Sequence, residues 1–244
     1  MKLINNEYPD ENTTCKSHGK YTAKIAYLGE HKITSTCPEC SREENKKQAD
    51  QKKDELAAKR RQIQIDFLED ANIIKRYWDM TLDDYKPREF QKNAHEKCLN
   101  FASRFDEMCS KGQCVIFCGG VGTGKTMLLS ALIQSLRVGY YIRAVDISRN
   151  VRHAYSSNES ELDVIEELAN QRLLVIDEVG LQQNTKAEAL LITDLIDRRY
   201  GNMVATILIT NLDEEGVKES FGPRAFSRMM QKGAIISIDG ESQR

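Results

Sequence analysis

The chain has 244 residues, 40% hydrophobic and 30% charged, with a net charge of −2. That is room for one α/β domain of roughly 150–170 residues plus a smaller appendage, and it excludes a uniformly basic nucleic-acid-binding surface. The opening MKLINNEYPDENTTC carries no apolar core behind a basic run, and nothing approaches the ~18 apolar residues of a membrane span, so neither a signal peptide nor a membrane anchor is expected and the cytoplasm is the expected location.

Residues 1–40 form a polar, turn-rich segment with a Cys/His cluster. Cys15-x-x-His18 is followed, after 18 intervening residues, by Cys37-Pro38-Glu39-Cys40. Three soft thiolates and an imidazole in two close pairs suit tetrahedral Zn²⁺, and four closed protein ligands leave no open position, so the metal is expected to be structural. Between the pairs Tyr21, Ala23, Ile25 and Tyr27 alternate with polar residues as one half-buried strand would. Gly29 then turns the chain and Ile33 to Ser35 return it, the hairpin of a zinc ribbon or knuckle. So small a module has little apolar surface, which makes the metal a source of its stability. His31, in the loop, is expected to be exposed and uninvolved. CxxC pairs also serve redox chemistry, but no thioredoxin-like βαβ unit surrounds this one.

Residues 41–72 read as a charged helical linker. Between 41 and 62 there are eight basic and five acidic side chains and neither Gly nor Pro; Glu43 with Lys47 and Glu55 with Lys59 are i,i+4 pairs that support a solvated helix. A nucleic-acid arm on Lys59, Arg60 and Arg61 is the alternative.

From 73 to 244 the pattern is globular. Glu89–Cys109 reads as an amphipathic helix with Ala94, Leu99, Ala102 and Phe105 inside. Strand-like runs follow at Cys114–Cys118, Tyr140–Val145, Leu173–Ile176, Ala205–Thr210 and Ala234–Ile238, with helix-like sequence between them. This rhythm predicts an α/β fold, a mostly parallel sheet covered by helices on both faces. Cys98, Cys109, Cys114 and Cys118 lie in or near apolar runs and are expected to be small buried hydrophobes.

Gly119-Gly120-Val121-Gly122-Thr123-Gly124-Lys125-Thr126 fits G-x-x-x-x-G-K-[ST] in full, after an apolar strand and before a helix. The glycines let backbone N–H groups curl into an anion nest. Lys125 is expected at the β- and γ-phosphates of ATP, and the Thr126 hydroxyl on Mg²⁺. In Leu173-Leu174-Val175-Ile176-Asp177-Glu178 two carboxylates emerge at the carboxyl end of a buried strand, the edge where open α/β sheets bind ligands. Asp177 is expected to hold the Mg²⁺ shell and Glu178 to polarise the attacking water. Asn211, closing the run 206–210, faces the same edge as a water-orienting group or caps the next segment. Arg224, Arg228 and Arg244 are either solvated charges or, in a ring or spiral, fingers reaching a neighbour's γ-phosphate.

Together LLVIDEVG, ILITN, FGPRAFSRM and GESQR, with the lead-in IIKRYWDMTLDDY, resemble the DnaC/IstB lineage of AAA+ ATPases over about residues 73–244. The resemblance implies a five-stranded AAA+ P-loop core with little or no helical lid, the sequence ending at Arg244 soon after the fifth strand. It implies that Asn211 is sensor 1, Arg224 the arginine finger with Arg228 its rival, and Arg244 the sensor 2 arginine, although GESQR departs from the GESYR of transposition helpers. It further implies a phage- or prophage-type loader whose N-terminal module binds a DnaB-type replicative helicase and whose cores assemble side by side along single-stranded DNA, with slow, DNA-stimulated ATP hydrolysis. Arg149, Arg152, His153 and Tyr155 follow the second strand, where they either track that DNA or form a solvated helix face. An IstB-like transposition helper, and a zinc-dependent interaction module with a non-hydrolysing nucleotide switch, are the rival readings.

Overall fold

The computed structural model describes residues 10–28, 30–158, 160–180 and 186–240, and the chain divides into two units, Met1–Gln64 and Ile65–Arg244. In the first unit, β1 (Glu11–Cys15) pairs antiparallel with β2 (Gly19–Ala23), and β3 (Ile25–Leu28) with β4 (His31–Thr34). The single alternating strand expected over Tyr21–Tyr27 is thus two strands of two hairpins. The break is Lys24, whose N–H donates to the Ser35 hydroxyl while its carbonyl accepts from the Ser35 N–H, both at 2.8 Å. Gly29 lies outside the described residues. His31 is exposed.

Helix α1 runs Pro38–Asp70, beginning earlier and ending later than the charged stretch 41–62. Proline starts it well, since its missing N–H is one of the unpaired donors of a first turn. Leu68 is its only buried residue among those described, as expected of a helix polar on every side.

The second unit is built on a five-stranded parallel sheet. After 3₁₀ turns at Lys75–Tyr77 and Glu89–Gln91 come α2 (Lys92–Ser103) and α3 (Phe105–Ser110). The helix expected over Glu89–Cys109 is therefore broken, at Arg104 (φ −120°, ψ 25°), and its inner face is Ala94, Cys98, Phe101 and Phe105 while Leu99 is exposed. Then follow β5 (Cys114–Cys118), α4 (Lys125–Leu136), β6 (Tyr140–Arg143), α5 (Ala144–Ser156), α6 (Glu161–Asn170), β7 (Leu173–Val179), α7 (Lys186–Gly201), β8 (Ala205–Thr210), α8 (Glu214–Gln231) and β9 (Ala234–Ser237). The strand order is β6-β7-β8-β5-β9. Alternate residues feed two cores: Val115, Phe117, Val175, Ile207 and Ile209 pack with Leu128, Leu129 and Leu132 of α4, and Ile116, Leu174, Ile176 and Leu208 pack with Ile147, Ile165 and Leu195 on the other face. Cys98, Cys109, Cys114 and Cys118 are buried, and burial pushes the Cys118 thiol up to about 11.

Strand β6 stops at Arg143, two residues short of the expected Val145. Asp146, in the first turn of α5, accepts from Arg143 Nε at 2.7 Å and Nη2 at 3.1 Å, and a carboxylate there also suits the helix dipole. Helix α8 is kinked at Gly222 (φ 77°, ψ 161°), and Pro223 opens its second half. On the outer edge of β6, Ala71 O accepts from Tyr141 N–H at 2.9 Å and Asn72 Nδ2 donates to Tyr141 O at 2.8 Å.

Candidate functional site

The carboxyl ends of β5, β7 and β8 meet at one cavity of about 590 Å³. The loop 119–124 after β5 wraps its floor. Gly119 (φ 141°) lies so close to the chain that an added Cβ would stand 2.3 Å from Ile238 O, and Gly124 (φ 89°) precedes α4 with room for no side chain beside Gln91. Val121 lies at its exposed tip, 60% accessible. Lys125, only 5% exposed, donates to the carbonyls of Gly119 (2.6 Å) and Gly120 (2.8 Å), to Asn211 Oδ1 (3.0 Å) and to Thr123 Oγ1 (3.3 Å). Burial lowers its ammonium below the usual lysine value, against the pull of Asp177. The loop and the end of β8 are thus joined through one cation.

Asp177 is 4% exposed. Its Oδ2 accepts from the Thr126 hydroxyl and from the Tyr141 phenol, each at 2.7 Å, and its Oδ1 from the Glu178 N–H at 2.6 Å. A hydroxyl and a carboxylate side by side are the hard oxygen donors that Mg²⁺ takes, so these residues fit that ion. Glu178 is exposed, with φ 59°, where β7 shifts register against β8 between Ile176 and Val179. Such a bulge re-aims a side chain, and here it turns the second carboxylate outward while the first stays dry.

Sequence reasoning missed three groups. Gln91, 1% exposed, braces the loop through Nε2 to Thr123 O at 2.8 Å. Tyr141 holds Asp177. Arg76, Tyr77 and Met80 line the cavity from the lead-in segment, which carries part of the family resemblance but no residue pattern that assigns these three to the site.

The candidate fingers differ. Arg228 is ion-paired with Asp197 of α7, whereas Arg224, in the first turn after the Gly222–Pro223 break, is exposed and has no ion-pair partner among the described residues. Arg244 lies outside the described residues. On α5, Arg149 pairs with Asp146 and Arg152 with Ser148 O, while Tyr155 is 78% exposed.

In the first unit, Cys15, His18, Cys37 and Cys40 bring their ligand atoms within 4.8 Å of one another. Tetrahedral zinc, with bonds of about 2.3 Å to sulfur and about 2.0–2.1 Å to nitrogen, sets ligand atoms roughly 3.5–3.8 Å apart. Here Cys15 Sγ–Cys40 Sγ is 3.4 Å, and His18 Nδ1 is 3.3, 3.8 and 3.9 Å from Cys40, Cys15 and Cys37. The donor set and its size therefore fit zinc. Backbone N–H groups of Ser17 and His18, then the His18 ring, lower the Cys15 thiol to about 6. The outer nitrogen of His18 meets Glu43 Oε1 of α1 at 3.1 Å, the carboxylate partner that commonly fixes a metal-bound imidazole.

Residues 48–244 match the family model described as IstB-like ATP binding protein. The replicative helicase loader DnaC of Buchnera aphidicola subsp. Acyrthosiphon pisum (strain APS) is 29% identical over 182 residues, covering 71% of this chain and 73% of that protein. DnaC of Escherichia coli (strain K12) is 32% identical over 146 residues, 58% of each chain. A crystal structure of the DnaC helicase loader superposes with a TM-score of 0.61 at 23% identity, over 68% of this chain and 99% of that one.

Proposed function

The chain belongs to the IstB-like ATP binding protein family of AAA+ fold, and from that premise we propose that it is an ATP-dependent loader of a DnaB-type replicative helicase onto single-stranded DNA. The observation that carries the reading is an active site with one half in place. Lys125, Thr126, Asp177, Glu178 and Asn211 converge on one cavity, while Arg224, without an ion-pair partner among the described residues, stands on the second half of α8, available to a neighbouring copy.

In this reading the N–H groups of 119–124 and the Lys125 ammonium bind the phosphates of ATP. Exchanging neutral carbonyl acceptors for phosphate oxygens gives Lys125 charged partners. Thr126 and Asp177 hold Mg²⁺, which neutralises phosphate charge when bound. Glu178, wet and turned outward, accepts the proton of the attacking water, and Asn211 orients that water. Arg224 of an adjacent copy stabilises charge as the γ-phosphate leaves. Arg228, held by Asp197, stays structural. Self-association follows from this division, as a ring or spiral of cores along single-stranded DNA with α5 facing the strand. The chain's place is then the cytoplasm; no helix among the described residues is long and apolar enough to cross a membrane.

The four-ligand cluster lies before residue 48, outside the family match. An added zinc-held module suits a partner-gripping loader better than a transposition helper, so Cys15, His18, Cys37 and Cys40 are proposed to hold Zn²⁺ in a helicase-docking domain, residues 1–40, with 41–72 as linker and 73–244 as the ATPase. Co-purification with the host's DnaB-type helicase tests this, comparing the intact chain with Cys37→Ser/Cys40→Ser. Retention by the intact chain and loss in the variant support the reading. Failure of both to retain the helicase sinks it and leaves delivery of DNA to a transposase as the better account.

A further inference from the structure

We infer that Tyr141 is a positioning residue for the Asp177 carboxylate, and that Asn72 fixes where that tyrosine stands; this rests on the nucleotide-site reading above. Tyr141 is 4% exposed, and its hydroxyl donates to Asp177 Oδ2 at 2.7 Å from the neighbouring strand. A buried hydroxyl costs free energy unless it is bonded, and a phenylalanine would fill the same apolar space. What the oxygen adds is a second donor on the carboxylate atom that Thr126 also addresses. Thr126 is shared with the cation in the proposed site, so Tyr141 and the Glu178 N–H are the donors left to hold Asp177 alone.

Strand β6 is a poor mount for such a residue. It has four residues, lies at the sheet edge, and is paired on one side only, by β7. The remedy is local: the Tyr141 N–H donates to Ala71 O at 2.9 Å, and its carbonyl accepts from Asn72 Nδ2 at 2.8 Å. Asn72 has φ 55°, a conformation asparagine tolerates better than most side chains. Both peptide groups of Tyr141 are thereby clamped by the two residues that follow α1, and the last buried residues of that approach, Leu68 and Ala71, pack in the same core. The end of the linker helix and the metal-holding carboxylate are two hydrogen-bonded steps apart through one side chain.

The test is equilibrium binding of N-methylanthraniloyl-ADP to the full-length chain, titrated with Mg²⁺ and repeated in EDTA. Tyr141→Phe is expected to raise the Mg²⁺ concentration for half-effect by about 10–100-fold, the usual cost of losing a partner behind a metal ligand, with nucleotide affinity in EDTA unchanged. A merely structural role would weaken both together. Asn72→Gly keeps the left-handed backbone and removes the amide, and is expected to shift the Mg²⁺ titration the same way by a smaller factor; it decides the matter alone if Tyr141→Phe does not fold. Titrations that superimpose on the natural chain, in both variants or in Asn72→Gly alone where Tyr141→Phe is unfolded, overturn the inference while leaving the site reading intact. A natural chain whose nucleotide binding ignores Mg²⁺ overturns the site reading, and this inference with it.

Discussion

Arg199→Met should cost the second unit about 3 kcal/mol of stability, although Arg199 lies away from the nucleotide cavity and has no ion-pair partner among the described residues. The guanidinium is fully buried and reaches five acceptors: Leu168 O (2.6 Å), Gln171 O (2.8 Å), Thr206 Oγ1 (2.9 Å), Ala169 O (3.4 Å) and Ala205 O. Leu168 and Ala169 lie in the last turn of α6, whose carbonyls have no partner within the helix, so Arg199 of α7 caps α6 and ties both to β8. Methionine keeps the apolar stem and removes the donor from Leu168 O, Gln171 O and Thr206 Oγ1, at about 1–3 kcal/mol each, while Ala169 O keeps Asn202 Nδ2. Set against that is the desolvation of a cation without a carboxylate, worth several kcal/mol. The remainder, about 3 kcal/mol, corresponds to a fall in melting temperature of roughly 6–12 °C for a unit of this size. Differential scanning calorimetry on the full chain measures it. Arg198→Met is the control, since Arg198 is a half-exposed partner of Asp194, and a solvent-screened pair of this kind should leave the melting temperature close to that of the natural chain. Arg199→Lys separates charge from shape: a point donor cannot serve acceptors spread around a planar fork, so it should fall between. Equal melting of Arg199→Met and Arg198→Met would refute the capping argument.

Three further outcomes bear on chemistry. Glu178→Gln should retain ATP binding and slow hydrolysis by about 10²–10⁴-fold; unchanged turnover in a phosphate-release assay removes Glu178 from the mechanism. Arg224→Ala should abolish turnover while leaving nucleotide affinity unchanged, and mixing it with excess Lys125→Ala chains should restore activity, because each defective half then meets an intact one; activity lost in Arg228→Ala instead would reverse the assignment. Chelation should release one metal ion per chain, read with a chromophoric indicator, and collapse the N-terminal circular dichroism signal of the hairpins, whereas Glu43→Gln should loosen the metal by about 10–100-fold without removing a ligand.

The parts of this molecule that could be read in advance are those whose chemistry is contiguous. Gly119 to Thr126 and Leu173 to Glu178 each place their groups by one strand and the turn after it, so spacing alone carries them. The two-faced sheet was legible for the same reason, in short apolar runs at regular intervals. Local competition defeated the reading elsewhere. Ala144 and Val145 look like the end of a strand, but the Arg143–Asp146 pair starts a helix there. Lys24 sits within an alternating run, yet Ser35 takes its hydrogen bonds and splits the strand. Across α2 and α3 the inner stripe is Ala94, Cys98, Phe101 and Phe105, and the expected Leu99 lies on the solvent side. Tyr141, Gln91 and Arg199 were illegible, because each acts across tens of residues through a contact that only the folded chain creates.

Glu178 sits where the backbone prefers glycine. A left-handed φ costs a residue with a β-carbon roughly 1–2 kcal/mol, and glycine at 178 would escape it. Folding and chemistry therefore pull this position in opposite directions: the substitution that most improves the strand deletes the carboxylate it presents. A stability screen blind to turnover should select Glu178→Gly, and on the proposed mechanism would lose ATP hydrolysis in doing so.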